Sequence, residues 1–392
     1  MPTMTTRPDA PRSDTLLLAL DLGNTTWKLG FRVGGPAQRP RIRTIPARDL
    51  PALMREISAA KHRFRVAAET PVVSCFEAGR DGFWLHRALT AAGVTNLVVD
   101  SCSIDRPARG RAAKSDRLDT TALLDKLGRH VDGDVRGWSV VHVPSLADED
   151  RRHLHRELTT LTWERTRVVN RIKGLLALHG VGLAPRGLPR HLPATLVGWN
   201  GDPLPPEIAA RVQREWRRLM FVRREILALV RERRERLRRN DPADPSLPIV
   251  RRLFALRAIG EVGAWVYATE FFAWRQFRNR RQVGAAAGLC STRRTSGDLA
   301  QEQGISKAGN RYLRALAIEL AWSWLRRQPE SALSEWYRRR YATGGARLRR
   351  IGIVALARKL LIALWRYLET GQVPTGAQLK PPGPSQRCPL PA

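Results

Sequence analysis

Cysteine is scarce in this 392-residue chain: there are four, Cys75, Cys102, Cys290 and Cys388, and no two form a C-x-x-C pair. That spacing offers neither a zinc knuckle nor a disulfide framework, and it predicts a reduced, cytoplasmic protein. Long apolar runs are missing too. None approaches the ~20 residues that cross a bilayer, and the N-terminal MPTMTTRPDAPRSD has no signal-peptide core. A membrane partner is therefore not expected. Acidic residues are few, 36 against 68 Lys+Arg. No internal repeat is evident, and no zinc finger, homeodomain or basic zipper is present to read bases.

What remains is a large, cationic, foldable chain. Its net charge of +32 on a 43% hydrophobic composition describes a folded protein with a polyanionic partner, nucleic acid first. Residues 1–14 and the Pro-rich end, 376–392, read as disordered tails. Residues 15–143 alternate short apolar strands with helical segments. LLLALDLGN, TTWKLGFRV and RPRIRTIP read as strands, followed by the helix DLPALMREISAAK. PVVSCFEAG and TNLVVDSCSI are further strands around the helix FWLHRALTAAG. This order predicts an α/β domain with a mixed sheet.

Residues 144–240 carry two long amphipathic patterns on either side of a Pro/Gly-rich break. Leu154, Leu158, Leu161, Val168, Ile172 and Leu175 form one stripe; Ile208, Val212, Trp216, Leu219, Ile226 and Val230 form the other. They predict an antiparallel hairpin or a coiled-coil arm that pairs with another chain, giving a homodimer or homotetramer. Residues 211–239 hold twelve Arg against four Glu, an imbalance that favours a phosphate-facing surface over a merely solvated one. Residues 241–375 read as a second, mostly α-helical domain. It opens on LFALRAIGEVGAWVYATEF, a helix, a tight turn flanked by Gly260 and Gly263, and a helix. The turn is either a phosphate-holding amide cradle or a plain helical hairpin.

Carboxylates mark the first domain. The strand LLLAL runs directly into Asp21, and PVVSCFE ends on Glu77. A charged residue closing an apolar strand sits at the sheet edge or beside a cation. In GRAAKSDRLDTTALLDKL, Asp116 and Asp119 stand three apart, on one face of a helix that Ser115 could cap; acidic residues in a first helical turn also suit the dipole. Glu69 is the rival to Glu77. Four carboxylates brought together would repel unless Mg²⁺ or Mn²⁺ lay among them, and paired ions of that kind clamp the oxygens of a phosphodiester under attack.

Asp21, Glu77, Asp116 and Asp119 follow the pattern of the RNase H/RuvC-like nucleases. More narrowly, the chain resembles the DEDD transposases of the bacterial insertion sequence family numbered 110, over nearly its whole ordered length. Asp21 matches the family's first-strand position, Glu77 its E-A-T-G-like strand end, and Asp116 and Asp119 its K-T-D-x-x-D-A helix. Further on, Gly288-Leu289, Ser296-Gly297, Gly304 to Asn310 and Leu313-Arg314 match the family's G-L, S-G, G-x-I-S-K-x-G-N and L-R series. The resemblance implies that Ser296 is a nucleophile joined covalently to DNA, and that a structured guide (bridge) RNA chooses the target. It also implies a nucleoid-associated enzyme whose active site combines the carboxylates of one subunit with Ser296 of another. Arg293, Arg294, Lys307, Arg311 and Arg314 are candidate phosphate contacts. Two other readings stay open. One is a Holliday-junction-type nuclease using metal-activated water, and the other is a non-catalytic RNA-binding scaffold.

Overall fold

The computed structural model describes residues 15–35, 38–101, 116–134, 137–181, 192, 195–296, 299–307 and 309–381; for 116–119, 292–296 and 299–303 it describes the backbone alone. The chain divides into two compact units, Met1–Val143 and Pro144–Ala392.

Unit 1 is a five-stranded mixed sheet. Its strands are β1 (Leu16–Leu22), β2 (Thr26–Val33), β3 (Arg41–Pro46), β4 (Val72–Glu77) and β5 (Thr95–Val99), in the spatial order β3-β2-β1-β4-β5. β1, β2 and β3 are antiparallel neighbours, whereas β4 and β5 run parallel to β1. Helices α1 (Leu50–Arg63) and α2 (Trp84–Ala91) precede the two parallel strands, and α3 (Asp116–Val131) follows. The run LLLAL lacks alternation because β1 is central and covered on both faces. Leu16, Leu18 and Leu20 join the core that holds Leu53, Ile57, Leu85 and Leu89 of α1 and α2. Leu17 and Ala19 meet Leu123, Leu124 and Leu127 of α3 on the other face. Each fully buried leucine contributes roughly 1.5–3 kcal/mol.

Unit 2 begins with the short helix α4 (Leu146–Asp150) and continues as a helical hairpin. In it α5 (His153–Ala177) and α6 (Pro206–Arg239) share a core of Val168, Ile172, Leu175, Val212, Trp216 and Leu219. The two stripes thus pack on each other within one chain. Beyond them come α7 (Ser246–Ala255), α8 (Glu261–Tyr267), a π-helical turn (Ala268–Phe272), α9 (Arg280–Ala286), α10 (Arg311–Arg327), α11 (Ala332–Tyr337), a second π-helical turn (Arg338–Ala342) and α12 (Ala346–Thr370). Their core includes Trp265, Tyr267, Phe271, Trp324 and Leu360. Among the described residues no helix is long and apolar enough to cross a membrane.

The structure adds one element to the expected plan and corrects two expectations. The mostly helical domain also contains a β-hairpin, β6 (Ser291–Ser296) paired antiparallel with β7 (Leu299–Ile305). Gly263 does not flank the turn between α7 and α8; it is buried in the first turns of α8, and only Gly260, the N-cap, belongs to the turn. That helix opens on Glu261, which binds Arg233 over 2.8 Å, so a carboxylate already faces its positive end. The C-terminal tail begins later than composition suggested. Lys380 donates its backbone N–H to Ala255 (2.7 Å) and its Nζ to the carbonyls of Phe254 (2.5 Å) and Ile259 (2.7 Å). Gln328 Nε2 donates to the Gln378 carbonyl over 2.8 Å and to that of Arg257 over 2.9 Å. Residues 378–380 thereby strap the α7–α8 turn, satisfying carbonyls that the helix end leaves open.

Candidate active site

Register places the first two carboxylates. β1 and β4 are parallel partners up to Leu20 and Phe76, so Asp21 and Glu77 are the next residues on adjacent strands. Side chains alternate along a strand, and both fall on the face occupied by Leu17, Ala19, Val73 and Cys75, under α3. Asp21 is half-buried and Glu77 exposed. Lys28 stands directly opposite Asp21 on β2. Glu69 is exposed and precedes β4, at the other end of that strand; five strand rises, about 17 Å, separate Val72 from Glu77.

Helix α3 begins at Asp116, and the side chains of Asp116 and Asp119 lie outside the described residues. Its direction is fixed further along. Gly30 of β2 sits between Thr120 and Leu124: a Cβ there would lie 2.7 Å from Thr120 Cγ2 and 2.8 Å from Leu124 Cδ1. Arg32, two residues on, donates to Asp125 Oδ1 over 2.7 Å and to the Leu124 carbonyl over 3.0 Å. Rising numbers in α3 therefore follow rising numbers in β2 and run against β1. Stepping back from Gly30 to Lys28 covers about 7 Å of strand, which equals four to five residues of helix at about 1.5 Å each. The level of Lys28 and Asp21 therefore lies on the N-terminal side of Thr120, toward Asp116 and Asp119.

Among the described side chains this end of the sheet offers two carboxylates, Asp21 and Glu77, oxygen donors of the kind a hard divalent cation takes, with the cationic Lys28 opposite Asp21. Among the described residues no three His, Cys, Asp or Glu side chains are grouped for a metal, and Asp116 and Asp119 are not among those side chains.

Ser296 is the last residue of β6 and pairs with Leu299, so it stands at the end of the hairpin where the two strands connect. Its side chain, with those of Arg293 and Arg294, lies outside the described residues. The segment after β7 is built by identifiable bonds. Ser306 N–H donates to the Cys290 carbonyl (2.8 Å), and Lys307, at φ +57°, donates to that of Gly288 (3.2 Å). Gly309 has φ +70° and sits so close to Ala286 that a Cβ would meet its carbonyl oxygen at 2.7 Å. Asn310 caps α10, accepting from the backbone N–H of Tyr312 at 2.8 Å. In G-I-S-K-A-G-N, Gly309 and Asn310 therefore serve the backbone. Lys307 and Arg311 are exposed beside them, and Arg314 is half-buried.

One buried polar group has no counterpart in the sequence reading. Glu270, in the π-helical turn, accepts from His155 Nε2 (2.9 Å) and from Arg156 Nε (2.6 Å) and Nη2 (2.9 Å). His155 also reaches Thr269 Oγ1 at 3.2 Å. Arg152 and Arg275 lie over the Trp274 ring at 4.2 and 4.0 Å. Burial pushes the Glu270 carboxyl up, but the hydrogen bonds of His155 and Arg156 outweigh it and hold the group at about 2. Burial, and then the Arg152 charge, lowers Arg275 to about 10. No local pattern announces this cluster, because its partners lie 114 and 115 residues apart.

A mixed α/β sheet domain joined to a cationic helical unit is the frame on which comparison with known proteins bears. The model of the transposase IS116/IS110/IS902 family matches residues 250–351. The chain is 39% identical to y4rJ of Sinorhizobium fredii, which bears the name of a transposase, over 96% of this chain and 98% of that one. It is 24% identical to the transposase for insertion sequence element IS1328 of Yersinia enterocolitica, over 67% of this chain and 74% of that one. It belongs to the IS116/IS110/IS902 family of transposases.

Proposed function

We propose that unit 1 is an RNase H/RuvC-like DEDD domain in which Asp21, Glu77, Asp116 and Asp119 share one divalent-metal site, and that Ser296 is the nucleophile of DNA strand exchange. The observation that carries the first part is the direction of α3, which brings its N-terminal side toward the level of Asp21. Mg²⁺ or Mn²⁺ held there would supply positive charge to the phosphodiester oxygens that gain negative charge during reaction. In the serine step, the Oγ–P bond forms as one P–O bond to deoxyribose breaks. The hydroxyl proton leaves to a base, the released sugar oxygen takes one up, and rejoining reverses the exchange. One phosphoester replaces another, so no high-energy cofactor is consumed.

Arg311 and Arg314 in the first turn of α10 support a phosphate nearby, since that turn disfavours cations and carries no acidic residue. The exposed Arg211, Arg214, Arg217 and Arg231 of α6, with no side-chain ion pair found among the described residues, support a cationic nucleic-acid surface. Phosphate contacts alone give affinity without sequence choice. On this reading a structured guide RNA supplies the choice by base pairing, and the working assembly is a homodimer or homotetramer. The test is cleavage of element-end DNA by purified Asp21→Asn, Glu77→Gln, Asp116→Asn and Asp119→Asn proteins. Each should lose at least about 100-fold in rate with its melting temperature unchanged. Cleavage retained by folded Asp21→Asn or Asp119→Asn protein would refute the shared site.

A further inference from the structure

On the face of the sheet opposite α3, the outer edge carries a concentration of charge that the carboxylate end does not use. Edge strand β3 and the end of α1 enclose an open groove of about 630 Å³, lined by Arg39, Arg41, Arg43, Arg63 and Arg65 with Phe64 at its wall. We propose that this groove binds the phosphate backbone of duplex DNA, at a place separate from the reacting carboxylates; the proposal rests on the reading of the chain as an enzyme acting on DNA.

Charge balance is the first argument. Five guanidinium groups face one carboxylate, Glu56, which binds Arg41 over 2.9 Å and Arg43 over 3.3 Å. No side-chain ion pair of Arg39, Arg63 or Arg65 is found among the described residues, and all three are exposed. Exposed charges closer than a Debye length of about 10 Å add their fields, and these five arginines line a single groove. Such crowding opposes folding and is relieved by an anion.

Geometry is the second argument. Glu56 orients Arg41 and Arg43 without neutralising the groove. Arg41 is partly exposed, and one of its terminal nitrogens is held by Glu56. Arg41 and Arg43 point to the same face two residues apart, and both guanidinium groups meet Glu56 Oε2, so they are presented side by side. Planar guanidinium groups bind phosphate through paired donors. Arg65 adopts φ +56°, a left-handed conformation that residues with a Cβ avoid, and in it lines the groove.

Charged residues on an edge strand also deter sheet-to-sheet pairing, which would account for Arg41 and Arg43. It does not account for Arg63 and Arg65, which come from the end of α1. Duplex DNA is favoured as occupant because the family acts on DNA and the lining is cationic with little apolar surface on which unpaired bases could stack.

The full-length chain with Arg39→Ser, Arg63→Ser and Arg65→Ser combined should be titrated with a fluorescent random-sequence DNA duplex across a salt series. Three lost phosphate contacts should make the slope of log affinity against log salt shallower by about 2.7. Glu56→Gln, which removes the groove's carboxylate and should leave the fold intact, should bind the same duplex more tightly. An unchanged slope in the triple variant, together with unchanged affinity in Glu56→Gln, overturns the proposal while wild-type binding upholds the DNA reading. Wild type that binds no DNA overturns that reading instead. A slope that changes for duplex RNA and not for duplex DNA assigns the groove to RNA and overturns the proposal as stated.

Discussion

Arg32 of β2 reaches Asp125 of α3 over 2.7 Å, and while the arginine is buried the aspartate remains partly exposed. The pair ties the helix bearing Asp116 and Asp119 to the strand that flanks Asp21. Removing Asp125 leaves a buried guanidinium with only the Leu124 carbonyl, whereas removing Arg32 leaves a carboxylate that water can reach. Asp125→Ala should therefore cost about 3–5 kcal/mol in urea unfolding, and Arg32→Leu less. An equal or reversed order would show that the pair does not hold α3.

Gly309 makes a sharper local test. Its positive φ and the Ala286 carbonyl at 2.7 Å from a would-be Cβ leave no room for alanine. Gly309→Ala should lower unfolding stability by about 1–3 kcal/mol. At Gly304 a Cβ meets nothing within 4 Å, so Gly304→Ala should leave the melting temperature within a degree or two. Matching losses in the two variants would contradict the account of the G-I-S-K-A-G-N segment.

Acid sensitivity follows from Glu270. Its folded-state value of about 2 lies below the ordinary 4.5, so its contribution is complete above the ordinary value and is lost as pH falls toward 2. The shift corresponds to something on the order of 3 kcal/mol. Glu270→Gln should flatten the stability profile of unit 2 between about pH 4.5 and 2, measured by urea unfolding. A variant as acid-labile as wild type would place the sensitivity elsewhere.

The proposal that Ser296 is the nucleophile is tested by trapping. Denaturant-resistant protein–DNA complexes should form with wild type and vanish with Ser296→Ala, whereas Ser291→Ala and Ser306→Ala should retain them. Adducts mapped to any other residue, or strand exchange without adducts, would favour attack by water.

Much of unit 1 was legible because its residues answer to neighbours in sequence. LLLAL is apolar at every position since both faces are covered, and Asp21 and Glu77 announce themselves as charges that end apolar strands. The β6–β7 hairpin was missed although its signal was present. Gly297-Asp298 stands between Ser296 and Leu299, the kind of dipeptide that joins paired strands, but the flanks STRRTS and LAQEQGI lack apolar alternation. The π-helical turn at Glu270 left no local mark, because it is fixed by His155 and Arg156 from another helix. The tail misled through composition: proline suggested disorder, yet residues 378–380 need no periodicity to bond to loop carbonyls.

That strap has a bearing on how the molecule is made. Phe254 and Ile259 leave the ribosome more than a hundred residues before Lys380, the side chain that closes over their carbonyls. A nascent chain can assemble its first unit while synthesis continues, but the α7–α8 turn must wait for residues translated long afterwards. A copy whose reading frame stops short of Gln378 would retain every carboxylate and the serine and still emerge with that turn open.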